Sequence, residues 1–240
     1  MNTHKKTLLI LILALLFCLL TSSCNFSGTK ENVEMKNIVI FGDSYSTFEG
    51  EIPQGYAAYY PAHGVNKAKD TWWSLYADKT DGNILLNDSW SGSTIGYTGY
   101  GNSDCSHTNS FIYRYRKHKE AGFFENNEVD TVFVFGGTND SWSGAPLGEL
   151  KFSDWEESDL FNVLPAICHF AYTLTTDLPD ARIVFISNTD ITPEIQDCFK
   201  IVAEKYNAEF IQLSDIEKEE GHPNKKGMRS ICDQLIKALQ

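Results

Sequence analysis

The segment Asn37-Ile38-Val39-Ile40-Phe41-Gly42-Asp43-Ser44-Tyr45-Ser46 constrains this chain more than any other. An unbroken run of β-branched and aromatic residues fits a strand covered on both faces, as in a parallel sheet. The run stops abruptly at Gly-Asp-Ser. A serine just past the carboxyl end of such a strand stands where open α/β sheets hold their ligands. Ser44 is therefore a candidate nucleophile, and later segments must supply it with a base and with donors for developing charge.

Thr131–Phe135 repeats the buried-strand pattern and ends at Gly136-Gly137-Thr138-Asn139-Asp140. Three further runs read as strands: Ile84-Leu85-Leu86 ending at Asn87, Arg182–Ile186 ending at Ser187-Asn188-Thr189, and Glu209–Leu213. Helical spacing falls between them, over residues 70–80, 110–121, 160–175, 193–206 and 225–239. Pro193 suits the first turn of its helix. The helix at 110–121 is expected to turn Arg114, Arg116, Lys117 and Lys119 to solvent. Strands alternating with helices imply a parallel sheet with helices on both faces. The expected class is α/β: one three-layer α/β/α sandwich with a five-stranded parallel sheet, spanning residues 36–240.

The residues before that domain have a different character. Lys5 and Lys6 precede a thirteen-residue apolar run from Leu8 to Leu20, followed by Thr21-Ser22-Ser23-Cys24. A basic region, a short apolar core and small residues form the layout of a secretory signal. The run falls short of the roughly 20 residues needed to span a bilayer as a helix, so export is expected rather than a retained span. The segment from Leu20 to Cys24 resembles a bacterial lipoprotein signal, with Thr21 where such signals usually carry leucine. That resemblance implies a signal peptide over 1–23, lipid attachment at Cys24, a polar tether over 24–35, and an exported protein held at the cell envelope. Cleavage to a free soluble form is the alternative.

The formal charge is −12, and loss of residues 1–23 would remove two lysines and no acids, leaving −14. So acidic a surface repels phosphate backbones and provides no basic stripe for nucleic acid. Beyond Cys18 in the apolar run and Cys24, the cysteines are Cys105, Cys168, Cys198 and Cys232. None has zinc-ligand spacing, so neither a metal nor another cofactor is expected. The four read equally well as one or two disulfides of an exported protein or as buried thiols.

The polar groups at the strand ends form a recognisable set. Gly42-Asp43-Ser44-Tyr45 resembles the first sequence block of the GDSL/SGNH hydrolase superfamily. Asn87-Asp88-Ser89-Trp90-Ser91-Gly92-Ser93-Thr94 is similar to its glycine-bearing second block. Gly137-Thr138-Asn139-Asp140 resembles the third, and His222-Pro223-Asn224 the histidine block. Taken singly, Ser44 suits a helix cap, Asn139 a turn and His222 a loop. The four blocks in family order, each near a predicted strand end, raise them together.

The resemblance implies a flavodoxin-like fold and ester hydrolysis through an acyl-serine intermediate. A serine hydroxyl needs a base to take its proton, and His222 is the expected base. By block, the oxyanion donors would be the backbone N–H groups of Ser44 and Gly92 and the side-chain amide of Asn139. Asp43 and Asp140 read as structural, bonding nearby backbone N–H groups. For the third triad member the family usually has aspartate three residues before the histidine, and here Glu219 stands there. Asp215 and a backbone carbonyl are the alternatives.

Tyr56, Tyr59, Tyr60, Trp90, Tyr97, Tyr100 and Trp142 lie in the loops around these blocks. Aromatic rings beside a crevice favour a carbohydrate acyl ester, acetyl foremost, as substrate. A lipase or short-chain acyl esterase, and a catalytically silent carbohydrate-binding lipoprotein, are the alternatives.

Overall fold

The apolar runs pair into one parallel sheet in the computed structural model, which describes residues 36–240. Its strands are β1 (Asn37–Gly42), β2 (Asn83–Ser89), β3 (Thr131–Phe135), β4 (Arg182–Ser187) and β5 (Glu209–Gln212), in the order β2-β1-β3-β4-β5. The expected signal segment 1–23, the tether 24–35 and Cys24 lie outside the described residues.

Successive side chains of a strand face opposite ways, and both faces of this sheet are covered. Ile38 and Ile40 of β1 with Phe133 and Phe135 of β3 pack on one side. Helices α1 (Trp72–Thr80) and α7 (Lys225–Leu239) cover that side through Trp72, Trp73, Met228, Ile231 and Leu235. Val39 and Phe41 with Val132 and Val134 face the other layer. There α2 (Phe111–Glu120), α5 (Val163–Asp177) and α6 (Pro193–Tyr206) supply Phe111, Tyr115, Phe170, Ile195 and Phe199. Two short helices, α3 (Phe123–Asn126) and α4 (Thr138–Trp142), sit on either side of β3 in the chain.

β2 runs three residues beyond its apolar core. A register shift between Ile38 and Val39 inserts one residue, after which Asn87, Asp88 and Ser89 continue the ladder opposite Ile40, Phe41 and Gly42. These buried polar residues are tolerated because Asn87 and Ser89 are hydrogen-bonded and Asp88 is paired with a cation. The Asn87 amide donates to the Ser46 carbonyl at 3.0 Å, and Ser89 Oγ donates to Asn87 Oδ1 at 2.6 Å. The Asp88 carboxylate meets the Arg114 guanidinium at 3.1 Å. Arg114 is therefore not on the exposed side of its helix: it is 1% exposed.

Cys105, Cys168, Cys198 and Cys232 are free and buried, with the Cys168 and Cys198 sulfurs 4.0 Å apart. The sheet order reverses beside β1, so a crevice opens at the carboxyl ends of β1 and β3.

Candidate active site

Ser44 opens a single 3₁₀ turn, Ser44–Ser46, directly after β1. Asp43 caps that turn, its Oδ1 accepting the Tyr45 N–H at 2.9 Å. The Asp43 carboxyl is fully buried, and burial pushes it up to about 7. It holds the turn that presents Ser44 and does not reach the histidine.

His222 arrives from far along the chain on a small hairpin, β6 (Lys218–Glu219) with β7 (His222–Pro223). The two turn residues, Glu220 and Gly221, both have positive φ, +49° and +79°. That is the type I′ geometry favoured in two-residue hairpins, and it explains a glycine at 221. The hairpin projects the imidazole over the nucleophile, with His222 Nε2 2.9 Å from Ser44 Oγ.

Three tyrosines fix this hairpin. Tyr45 donates its hydroxyl to the Gly221 carbonyl, and Tyr60 donates to the Pro223 carbonyl at 2.6 Å. The Tyr59 ring stacks flat on His222, centroids 3.6 Å apart and planes 10° apart. Burial holds the His222 imidazole below the ordinary histidine range. The Glu220 carbonyl opposes that shift, while His63 and Lys218 reinforce it. Near neutral pH His222 is thus unprotonated and able to accept a proton from Ser44.

Glu219 does not take the place expected of it. The Glu220 carbonyl faces His222 Nδ1 at 3.2 Å. The Glu219 carboxylate turns instead to His63 Nδ1 at 3.4 Å and to the Asn224 amide at 3.3 Å. The reason is local geometry: the tight turn after Glu219 leads the chain back so that a main-chain oxygen already occupies the space next to Nδ1. Asp215 is exposed and no bond joins it to His222. Of the three alternatives, the carbonyl is the one in contact.

The expected oxyanion donors are tied into one hydrogen-bonded cluster. Ser93 Oγ donates to the carbonyls of Gly42 (3.3 Å) and Trp90 (2.6 Å), holding the glycine-bearing loop against the end of β1. Asn139 Nδ2 donates to the Ser93 carbonyl at 2.9 Å, leaving its second N–H free. Tyr100 donates to Asn139 Oδ1 at 2.9 Å and so fixes which end of the amide faces the crevice. Gly92 has φ +81°, and a Cβ there would meet nothing within 4 Å. Its backbone conformation, and not a lack of space, asks for glycine. Among the described residues neither the Ser44 nor the Gly92 N–H donates to a protein acceptor.

Asp140 anchors the same loop from below. Its Oδ2 accepts from Ile95 N at 3.0 Å and its Oδ1 from Gly96 N at 3.2 Å. The carboxyl is fully buried, and burial pushes it up to about 6. Arg114 completes the frame, donating to the carbonyls of Gly42 (3.3 Å), Asp88 and Asn109 (3.0 Å) and to Ser93 Oγ (3.2 Å). Burial would push the Asp88 carboxyl up, but Arg114, helped by His118, outweighs it and holds Asp88 below the usual carboxylate range.

Reading the sequence missed Arg114, His63 and the clamping roles of Tyr45, Tyr59 and Tyr60. One signal was present for Arg114. Phe111, Arg114, Tyr115 and His118 fall at i, i+3, i+4 and i+7, which places Arg114 on the helix's apolar face.

Residues 36–239 match the GDSL-like Lipase/Acylhydrolase family. A GDSL-like lipase from Bacteroides ovatus is 34% identical with a TM-score of 0.79, covering 85% of this chain and 98% of its own. A GDSL-like lipase from Bacteroides uniformis is 36% identical with a TM-score of 0.78, covering 85% and 95%. A family two carbohydrate esterase from Clostridium thermocellum, in complex with cellohexaose, shares the fold at 15% identity and a TM-score of 0.61, covering 85% and 63%. Among curated proteins none matches. With the family matched over nearly the whole described chain, this protein belongs to the GDSL-like lipase/acylhydrolase family and is an ester hydrolase.

Proposed function

We propose that the protein removes short acyl groups, acetyl foremost, from carbohydrate esters through an acyl-Ser44 intermediate. The 2.9 Å contact between Ser44 Oγ and an unprotonated His222 carries this reading. His222 takes the Ser44 proton as Oγ attacks the ester carbonyl, then returns it to the departing alcohol. Water repeats the sequence and frees the acid. The oxyanion is met by the N–H groups of Ser44 and Gly92 and by the Asn139 amide. Losing one such donor generally costs about 10²–10³ in rate. The Glu220 carbonyl holds the Nδ1–H of His222, so the catalytic pair is a dyad oriented by the main chain.

Two half-exposed rings favour a sugar as the alcohol. Tyr100 is 48% exposed and bonded to Asn139, and Trp142 is 41% exposed with its ring 6.2 Å from His222. Each offers a flat apolar face at the mouth of the crevice. Replacing Trp142 by alanine is expected to raise KM for acetylated oligosaccharides about 5- to 20-fold, as loss of one stacking partner should. Turnover of p-nitrophenyl acetate should change less than twofold. Equal effects on both substrates would remove the sugar from the reading.

The direct test is labelling. A fluorophosphonate should modify Ser44, and purified protein should release acetate from acetylated oligosaccharides. Absence of both would leave a silent binding protein.

The pH dependence follows from His222. Its pKa lies below the usual value near 6.5, so the base form persists further into acid. The acid limb of kcat/KM should therefore fall below about pH 6.5. A limb at or above that value contradicts His222 as the base in this environment.

Residues 1–23 and Cys24 support export and lipid anchoring. Mass spectrometry of the mature protein is expected to find an acylated Cys24 at its N-terminus, and a free start beyond it would overturn the anchor.

A further inference from the structure

We propose that Glu219, His63 and Tyr59 form a chain of positioning residues that stabilises the protonated state of His222 through the stacked Tyr59 ring. The chain begins at the residue in the family's acid position but reaches the face of the imidazole and not its Nδ1. His222 Nδ1 meets only the Glu220 carbonyl, a dipole and not a charge. The carboxylate at the family's acid position turns to His63 instead.

The contacts favour one polarity. A carboxylate only accepts, so Glu219 Oε2, in ion-pair contact with His63 Nδ1 at 3.4 Å, favours the tautomer with the proton on Nδ1. The other ring nitrogen, Nε2, then bears a lone pair and accepts from the Tyr59 hydroxyl at 2.7 Å. Donating that hydrogen bond moves electron density onto the phenol oxygen and into its ring. This ring lies face to face with His222 at 3.6 Å. When His222 takes the Ser44 proton, a cation forms against an aromatic face, a favourable contact.

Tyr59 also reaches the nucleophile. Its N–H donates to Thr47 Oγ1 at 2.9 Å, and that hydroxyl donates to the Ser44 carbonyl at 3.0 Å. His63 has little freedom, since its carbonyl accepts from Lys225 N at 3.2 Å and its φ is +50°. One loop thus spaces base and nucleophile together.

Other groups also face His222. Tyr45 packs at 5.4 Å and Trp142 at 6.2 Å, both uncharged. Glu220 favours the cation; His63 by its own charge, and Lys218 from its bonds to Asn188, Thr189 and Asp190, oppose it. None of these changes in the variants below.

The experiment follows the His222 imidazole by NMR titration in Ser44→Ala protein, alone and with Glu219→Gln or Tyr59→Phe. Tyr59→Phe keeps the packed ring and deletes only the hydroxyl. Each substitution is expected to lower the His222 midpoint by about 0.3–0.8 pH units, the range of a weakened cation–π contact. In a chain the effects share one route, so Tyr59→Phe with Glu219→Gln should shift the midpoint no more than the larger single change. With Ser44 intact, the same variants should lose about 2- to 6-fold in kcat with KM unchanged.

An unmoved midpoint in Tyr59→Phe overturns the proposal. Additive shifts do too, because they would mean that Glu219 acts on His222 through space. The kinetic arm rests on the esterase reading, but the titration needs no turnover. Failure of one is therefore distinguishable from failure of the other.

Discussion

Ser44→Ala is expected to lower ester turnover by about 10⁴-fold or more, with the fold intact. The hydroxyl removed is the atom 2.9 Å from His222 Nε2. The oxyanion donors and the His222 hairpin would remain, since Tyr45, Tyr60 and Arg114 hold them without help from Ser44 Oγ. A small residual rate over water should survive for that reason. Steady-state release of acetate, together with loss of fluorophosphonate labelling, checks the prediction. Residual activity within tenfold of the wild type would mean that Ser44 is not the nucleophile.

Arg114→Met is the substitution expected to harm stability most, by about 3–5 kcal/mol at neutral pH. Methionine replaces the packing volume but leaves Asp88 as a buried, unpaired carboxylate. It also strips hydrogen bonds from the carbonyls of Gly42, Asp88 and Asn109. Thermal unfolding should show Tm about 6–20 °C lower for a domain of this size. Adding Asp88→Asn should recover part of the loss, because the uncompensated charge goes with it.

The sign of the pH dependence is also fixed. Asp88 is depressed in the folded protein, so its contribution is present above the unfolded value near 3.9 and fades as pH falls further. In the variant, burial without Arg114 raises the Asp88 carboxyl and protonation relieves it, so the gap between variant and wild type should narrow as pH falls, beginning above about pH 4. A constant gap across pH, or a change under 1 kcal/mol, would show that the ion pair is not what holds this corner.

Much of the architecture was legible in the chain because strand burial writes itself as uninterrupted apolar runs. β1 and β3, covered on both faces, are polar only at their first residues, Asn37 and Thr131, so little obscured them. β2 was harder. Its last three residues are polar, and only the inserted residue of its ladder and the partners Ser46 and Arg114 make them strand. The short hairpin carrying His222 was hidden for a related reason. Lys218-Glu219-Glu220-Gly221 has the composition of a solvated loop, and its two-residue turn becomes evident only from the positive φ of Glu220 and Gly221.

The sequence by itself determined the class of sheet, the chain order of the serine, glycine, asparagine and histidine segments, and the residue types that serve acyl transfer. Those follow from local rules of strand periodicity, turn chemistry and the reactivity of side chains. Tertiary structure alone decided what steadies His222. A glutamate three residues before a histidine can point several ways, and the choice depends on which neighbour lies within reach. The turn brought the Glu220 carbonyl to Nδ1, and a loop from residues 59–63 brought His63 to Glu219. The same is true of the partners of Arg114: its spacing puts it on the apolar helix face, but only the packed sheet brings the carbonyl ends of β1 and β2 to it. Contacts between residues more than a hundred positions apart, such as Ser44 with His222, are set by the packing of the layers and not by any local pattern.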